Sequence, residues 1–164
     1  MVRLGSAARE MGDVVISNKQ KLRVLFLCTG NSCRSQMAEA WARHLKGESI
    51  EACSAGVEPH GMNPLAIQVM KEAGVDMSGQ HSKHVDEWKD VALDYVVTVC
   101  DDAHEACPLF PGKTKIVHAG FDDPPRLAKT AGNEGEALGQ YRRVRDEIRG
   151  FVETLPGSLL KMDG

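Results

Sequence analysis

The stretch V-L-F-L-C-T-G-N-S-C-R-S, residues 24–35, carries residue types suited to nucleophilic attack on a tetrahedral oxyanion. A short apolar strand is predicted to end at Cys28, and a helix is predicted to begin near Ser35, with Ser35 as its N-cap. The loop between them can point backbone N–H groups at an anion, and the helix N-terminus adds partial positive charge. Arg34 adds a planar fork of donors that fits such an anion.

This loop is expected to activate a thiol as well as bind an anion. Gly30 and Asn31 are residue types that tolerate the left-handed backbone of a tight loop. The positive field is expected to lower the pKa of Cys28 and favour its nucleophilic thiolate, to which Ser35 would hydrogen-bond. The predicted oxyanion-binding loop consists of Thr29, Gly30, Asn31, Ser32 and Cys33.

A second pair of cysteines lies in V-V-T-V-C-D-D-A-H-E-A-C-P, residues 96–108. Cys100 follows a predicted strand, as Cys28 does. In a doubly wound sheet, ligands bind outside the carboxyl ends of the strands, where neighbouring strands diverge. If these two strands are neighbours, Cys28 and Cys100 face each other across one site. Asp123, in G-F-D-D-P-P after the next strand, would lie over the same edge.

The pattern of Cys28, five residues, Arg34 and Ser35 resembles the low-molecular-weight tyrosine phosphatases. The second cysteine pair resembles the thioredoxin-coupled arsenate reductases, which share that fold. Their two further redox cysteines match Cys100 and Cys107 in position and spacing. The F-D-D-P and Y-R-R-V-R-D-E-I segments are also similar to that family. The resemblance extends over about residues 21–155, except for 125–139.

The resemblance implies a mechanism that needs no organic cofactor and no catalytic metal. The loop and Arg34 would bind arsenate, Cys28 would attack arsenic, and Asp123 would act as general acid. Cys100 would then attack Cys28 and release arsenite, and Cys107 would attack Cys100. Thioredoxin would reduce the resulting disulfide, with glutaredoxin the less favoured reductant.

Three other interpretations are open from the sequence. A tyrosine phosphatase would hydrolyse phosphate monoesters through a phosphocysteine, but Pro125 and Arg126 stand where such enzymes usually carry aromatic residues. A non-catalytic redox sensor that binds oxyanions would need no general acid. A zinc site at Cys100, His104 and Cys107 is disfavoured because a fourth ligand is not evident. The six histidines are expected to be surface or capping residues.

The resemblance also bears on cation binding. Some arsenate reductases of this type hold a monovalent cation beside the loop with Asn, Glu, Ser and Asp side chains. Asn31, Glu39 and Ser54 match the first three, and Lys83 stands where the Asp is expected. We therefore expect the Lys83 ammonium to replace the cation and to make the protein insensitive to potassium.

Alternating strands and helices predict one α/β domain: a four-stranded parallel sheet with helices on both faces. Residues 1–20 are expected to be a loosely ordered extension, 21–157 the domain and 158–164 a C-terminal tail. The stretch 124–135 is expected to be the most flexible internal segment. The predicted strands are 21–27, 50–57, 94–99 and 115–118, and the predicted helices are 35–46, 64–73, 101–107 and 136–155.

Bulk composition sets limits on partners and location. The net charge of -3 over 164 residues indicates neither nucleic acid nor an acidic membrane surface as a partner. No apolar run approaches the roughly 20 residues that span a bilayer, so a cytoplasmic location is expected. Five cysteines in a reducing compartment do not predict a permanent disulfide framework. Cys53 is expected to be buried in a strand, and Cys33 to matter through its backbone N–H.

Overall fold

The computed structural model describes residues 21–163 and has a parallel sheet at its centre. Val24 to Leu27 are fully buried, as expected of the central strand of a parallel sheet. All three strand pairings are parallel, in the order β2-β1-β3-β4, which confirms the predicted four-stranded sheet. The strands are β1 (Leu22–Cys28), β2 (Ile50–Gly56), β3 (Tyr95–Thr98) and β4 (Lys115–His118).

Six α-helices and one short 3₁₀ helix (Val85–Trp88) accompany the sheet in the described part of the chain. α5 is the longest and packs against α1, α2 and α4, whereas α3 packs against β1 and β3. Asn63 caps α2 by accepting hydrogen bonds from two backbone N–H groups, with Pro64 in the first helical position, as predicted. The helices are α1 (Arg34–Lys46), α2 (Pro64–Glu72), α3 (Asp101–Glu105), α4 (Pro124–Ala128), α5 (Glu134–Glu153) and α6 (Gly157–Asp163).

The strand order places a topological switch point between β1 and β3. The chain runs from β1 outward to β2 on one side, and from β3 outward to β4 on the other. Right-handed crossovers that run in opposite directions put their helices on opposite faces of the sheet. Leu27 pairs with Thr98, so the carboxyl ends of β1 and β3 lie side by side at this switch point. Ligands of such sheets bind at this place.

Several sequence expectations need correction. Residues 158–164 are not a tail over their described part: α6 packs against β4, and Leu159 is fully buried. The stretch 124–135 contains α4 and the first two residues of α5, so more than half of it is helical, and its predicted flexibility stays a prediction. Ser35 is not an N-cap, because α1 begins at Arg34 and the cap position is Cys33. The expected extension, residues 1–20, lies outside the described residues.

The core lies on the two faces of the sheet and is apolar. Its largest fully buried side chains include Trp41, Phe26 and Met37, which come from α1 and β1. The strand β1 and helix α1 that flank the oxyanion loop are thus among the best buried elements of the chain. Within residues 21–163, no helix combines the length and the apolar character needed to cross a bilayer.

Candidate active site

The loop from Cys28 to Arg34 wraps around the Cys28 sulfur. Asn31 is fully buried and adopts a left-handed backbone with φ of 49°, as the loop's curvature requires. Its backbone N–H donates to Cys28 Sγ at 3.1 Å, and its side-chain Nδ2 donates to Ser35 Oγ at 2.8 Å. Ser35 Oγ lies 2.8 Å from Cys28 Sγ. Because Ser35 already accepts from Asn31, its own hydroxyl hydrogen is available to the sulfur.

A neighbouring segment, residues 57–63, holds the loop from outside. Four loop carbonyls accept backbone N–H groups from this segment, which leaves the opposite, amide-bearing edge of the loop to face the cavity. The four hydrogen bonds run from Val57 to Cys28 (3.2 Å), Glu58 to Thr29 (2.8 Å), His60 to Gly30 (2.9 Å) and Asn63 to Ser32 (3.0 Å). The loop is therefore shaped by the fold itself.

A polar cavity of about 460 Å³ opens over the loop. Arg34 lines it and is held in place by donating to the Phe121 carbonyl at 2.9 Å. Asp123 lies on the same wall, with Oδ1 3.7 Å from Arg34 Nη2. Pro125 also lines the cavity, and no Phe, Tyr or Trp among the described residues does. A cationic fork and a carboxylate thus meet beside a nucleophilic sulfur.

The Cys28 thiol departs from expectation in its acidity. Burial of the sulfur raises its pKa above the ordinary value, and this effect outweighs the opposing hydrogen bonds from Ser35 and from the Asn31 N–H. The prediction of a lowered pKa is therefore wrong for this structure. The physical reason is desolvation: the same loop that supplies donors also excludes water from the sulfur.

The structure brings Cys100 to the edge of the loop. It is buried two residues after β3, at the N-cap of α3, and its Sγ lies 3.4 Å from Oγ1 of Thr29, the residue that follows Cys28 in the chain. Cys107 lies beyond the C-terminus of α3 and is half-buried, which raises the pKa of its thiol. All five cysteines are free thiols. The neighbouring strands predicted to carry Cys28 and Cys100 are indeed β1 and β3.

The four residues compared with a cation site lie together. Glu39 is buried on α1 and accepts a hydrogen bond from Ser54 Oγ at 2.6 Å. Lys83 Nζ lies 4.0 Å from Glu39 Oε1 and donates to the His81 carbonyl at 2.8 Å. The Lys83 backbone N–H also donates to Asn31 Oδ1 at 2.8 Å. The Lys83 ammonium group therefore lies beside a buried carboxylate, while the Lys83 backbone is hydrogen-bonded to the oxyanion loop.

The remaining cysteines are buried as structural residues. Burial raises the pKa of the Cys53 thiol to about 12 and raises that of Cys33 well above its ordinary range. Among residues 21–163, no three His, Cys, Asp or Glu side chains are arranged to hold a metal ion. The zinc interpretation of Cys100, His104 and Cys107 therefore has no support.

A pair of histidines close to Cys100 in the fold was not predicted from the sequence. The rings of His104 and His118 lie 4.6 Å apart, and both Nδ1 atoms are within 3.0 Å of Thr98 Oγ1. Two signals were available. Thr98 pairs with His118 in the β3–β4 register, and His104 follows Cys100 by one helical turn.

A cysteine in an oxyanion loop, an anchored arginine and a facing aspartate define a cysteine-dependent α/β protein of the phosphatase type. Its family follows from comparison: the chain belongs to the low molecular weight phosphotyrosine protein phosphatase family, whose model matches residues 23–162.

Several proteins similar to this chain are arsenate reductases. The arsenate reductase of Bacillus subtilis (strain 168) is 48% identical over 135 residues, which are 80% of this chain and 95% of that protein. A solved arsenate reductase in the phosphate binding state superposes with a TM-score of 0.66 at 30% identity, covering 86% of this chain and 98% of the other. The solved thioredoxin-dependent arsenate reductase of Corynebacterium glutamicum superposes with a TM-score of 0.62 at 30% identity. The match covers 92% of this chain and 66% of the other.

Proposed function

We propose that this protein reduces arsenate to arsenite through Cys28, Cys100 and Cys107, and that a thioredoxin-type dithiol restores it. The observation that carries this proposal is the position of Cys100. A phosphatase needs only the loop cysteine, whereas here a second buried thiol stands 3.4 Å from the hydroxyl of Thr29, the residue after the nucleophile. The identity to curated arsenate reductases supports the choice of substrate.

Arsenate binds in the cavity, where the loop N–H groups and Arg34 compensate its charge. The raised pKa of Cys28 means that its thiol arrives protonated. The arsenate dianion takes that proton, and the Cys28 sulfur then attacks arsenic. Asp123 acts as the general acid for the departing oxygen, which leaves as water. The product is a Cys28–arsenate adduct in which arsenic is still As(V).

Electrons are transferred in the next step. The Cys100 thiolate attacks Cys28 Sγ, and the electron pair of the sulfur–arsenic bond stays on arsenic. Arsenic leaves as As(III), and a Cys28–Cys100 disulfide forms, so two electrons pass from two thiols to one arsenic. The neighbouring ends of β1 and β3 bring the two cysteines to one edge of the sheet for this attack.

Cys107 completes the relay. Its thiolate attacks Cys100 Sγ, a Cys100–Cys107 disulfide forms, and Cys28 is released as a thiolate. The hydrogen bonds from Ser35 and from the Asn31 N–H stabilise that leaving group. Because Cys107 is half-buried rather than enclosed, its disulfide can be brought to the surface for reduction by a partner dithiol.

Two cysteine substitutions test the proposal. Cys28→Ser should abolish both arsenate reduction and any phosphatase activity, because an alcohol is barely nucleophilic at neutral pH. Cys100→Ser should stop arsenate-dependent NADPH consumption with thioredoxin and thioredoxin reductase, yet leave hydrolysis of p-nitrophenyl phosphate. A glutaredoxin system run in parallel identifies the reductant. Equal loss of both activities in Cys100→Ser would refute the relay.

The same pair of assays addresses the other candidate functions. Hydrolysis without arsenate reduction would identify a phosphatase. Membership of the phosphotyrosine phosphatase family supports that function, whereas Pro125 and Arg126, which stand where aromatic residues would be expected, argue against it. No activity of either kind would leave a redox sensor, for which the Asp123 carboxylate beside Arg34 would have no use.

A further inference from the structure

A chain of hydrogen bonds links α3 to the sheet at two points. Thr98, fully buried on β3, has its hydroxyl 3.0 Å from His104 Nδ1 and 2.8 Å from His118 Nδ1. His118 Nε2 lies 3.0 Å from Asp101 Oδ1. Asp101 is the first residue of α3 and His104 the fourth. Both ends of this short helix are therefore fastened to the carboxyl edge of β3 and β4.

One choice of ring tautomers satisfies all three links of the chain, with the Thr98 hydroxyl donating over 2.8 Å to His118 Nδ1 rather than over 3.3 Å to the Val117 carbonyl. His104 Nδ1–H donates to Thr98 Oγ1, the Thr98 hydroxyl donates to His118 Nδ1, and His118 Nε2–H donates to the Asp101 carboxylate. The two imidazole rings also contact each other at 4.6 Å between centroids. We call these four residues, Asp101, Thr98, His104 and His118, the α3 latch.

The latch lies between the two cysteines of the proposed relay. Cys100 immediately precedes α3, and Cys107 follows its C-cap residue by one position. α3 with its C-cap residue spans residues 101–106, and a helical rise of about 1.5 Å per residue puts about 9 Å of helix between Cys100 and Cys107. A disulfide needs Cα atoms within about 7 Å. Formation of the Cys100–Cys107 disulfide therefore requires α3 to unwind, at least in part, and Asp101 or His104 to leave its partner.

We propose that His104 and His118 are positioning residues of this relay. Through Thr98 and Asp101 they hold α3 in the conformation that keeps Cys100 and Cys107 apart, and so set how readily that disulfide forms. The proposal rests on the relay put forward above. Loss of the latch destabilises the dithiol state, since only that state contains the folded α3. The disulfide then forms more readily, and its reduction potential becomes more negative.

Matched substitutions separate the hydrogen bonds from the bulk of the rings. Phe keeps an aromatic ring without a hydrogen-bonding nitrogen, and its helix propensity is close to that of His. His104→Asn restores an N–H donor at the position of Nδ1. Glu105→Gln changes an exposed residue of the same helix outside the latch and serves as control.

The measurement is the reduction potential of the Cys100–Cys107 pair in a Cys28→Ser background. Oxidised glutathione takes two electrons and two protons from the two thiols, giving the disulfide and two molecules of reduced glutathione. Alkylation and mass spectrometry of the peptide count the oxidised fraction at each glutathione ratio. Amide hydrogen exchange of residues 101–106 in the reduced protein provides a second readout.

His118→Phe, which breaks two links, should favour the disulfide about tenfold, a shift of about 30 mV to more negative potential. His104→Phe should favour the disulfide about threefold. The reduction potentials of His104→Asn and Glu105→Gln should stay near that of the protein without these substitutions. Exchange of the reduced α3 amides should accelerate in the two Phe variants only. Potentials and exchange rates equal in all variants would overturn the latch and leave the relay standing. Failure of Cys100–Cys107 to form in any variant would overturn both.

Discussion

Removal of the Lys83 ammonium group tests whether its charge replaces that of a bound monovalent cation beside Glu39. The Lys83 side chain is only 10% exposed, and Nζ lies 4.0 Å from Glu39 Oε1, whose side chain is 3% exposed. Lys83→Met keeps a chain of similar length and removes the charge. Its backbone N–H, which donates to Asn31 Oδ1, remains in place. The substitution therefore removes the ammonium charge together with its hydrogen bond to the His81 carbonyl.

The magnitude follows from the geometry. Two unit charges 4.0 Å apart attract by about 4 kcal/mol at an effective dielectric constant of about 20. About half of this lost attraction is offset, because the variant no longer has to dehydrate a buried ammonium group on folding. Glu39 also keeps Arg43, whose Nη2 lies 2.6 Å from Oε2. We expect a net loss of about 2 kcal/mol, or a melting temperature lower by about 4–8 °C.

Thermal unfolding in sodium, potassium and choline chloride provides the assay. The unsubstituted protein should melt at the same temperature in all three salts. Lys83→Asp, which completes the oxygen ligands together with Asn31, Glu39 and Ser54, should be stabilised by potassium specifically. Lys83→Arg retains a cation and serves as control. A potassium-dependent rise in the melting temperature or turnover of the unsubstituted protein would refute the reasoning, as would a Lys83→Met variant with unchanged stability.

Three further predictions concern the reacting groups. Ser35→Ala removes the leading interaction that lowers the pKa of Cys28, so the pH profile of Cys28 alkylation by iodoacetamide should move to higher pH; an unmoved profile would contradict this. Amide exchange across residues 101–106 should be about 30-fold faster in the oxidised than in the reduced protein, because about 2 kcal/mol from two helical hydrogen bonds is lost; equal protection would exclude unwinding of α3. Asp123→Asn should lower arsenate turnover about 10²-fold or more with little change in KM, measured by steady-state kinetics, and a pure KM effect would assign Asp123 to binding.

Strong local signals explain why much of the fold was predictable. Residues 24–28 of β1 are an uninterrupted apolar run, and Asn63 and Pro64 mark the start of α2. Short elements were not predictable in the same way. α4 has five residues and α6 has seven, too few to show a helical period, and both depend on packing against other elements.

The site shows the same division between local and tertiary information. The position of Cys100 beside Cys28 could be predicted, because it depends only on strand order. The α1 cap was misjudged because Ser35 offers its hydroxyl to Cys28 rather than to the helix backbone. The acidity of Cys28 was misjudged because burial of one sulfur depends on the whole surrounding fold. The α3 latch joins three elements and has no contiguous motif.

The loop carbonyls held by residues 57–63 have a consequence for selectivity. A loop already shaped by its own fold spends little binding free energy on ordering itself, so any tetrahedral dianion of the right size benefits equally. Phosphate and arsenate share that shape and charge, so a rigid ring of N–H groups binds both with similar affinity. Discrimination must then come after binding, at the one step where the central atom accepts an electron pair. Phosphate would compete for the loop as an unreactive occupant, and the effective rate of arsenate turnover would depend on how quickly such occupants leave.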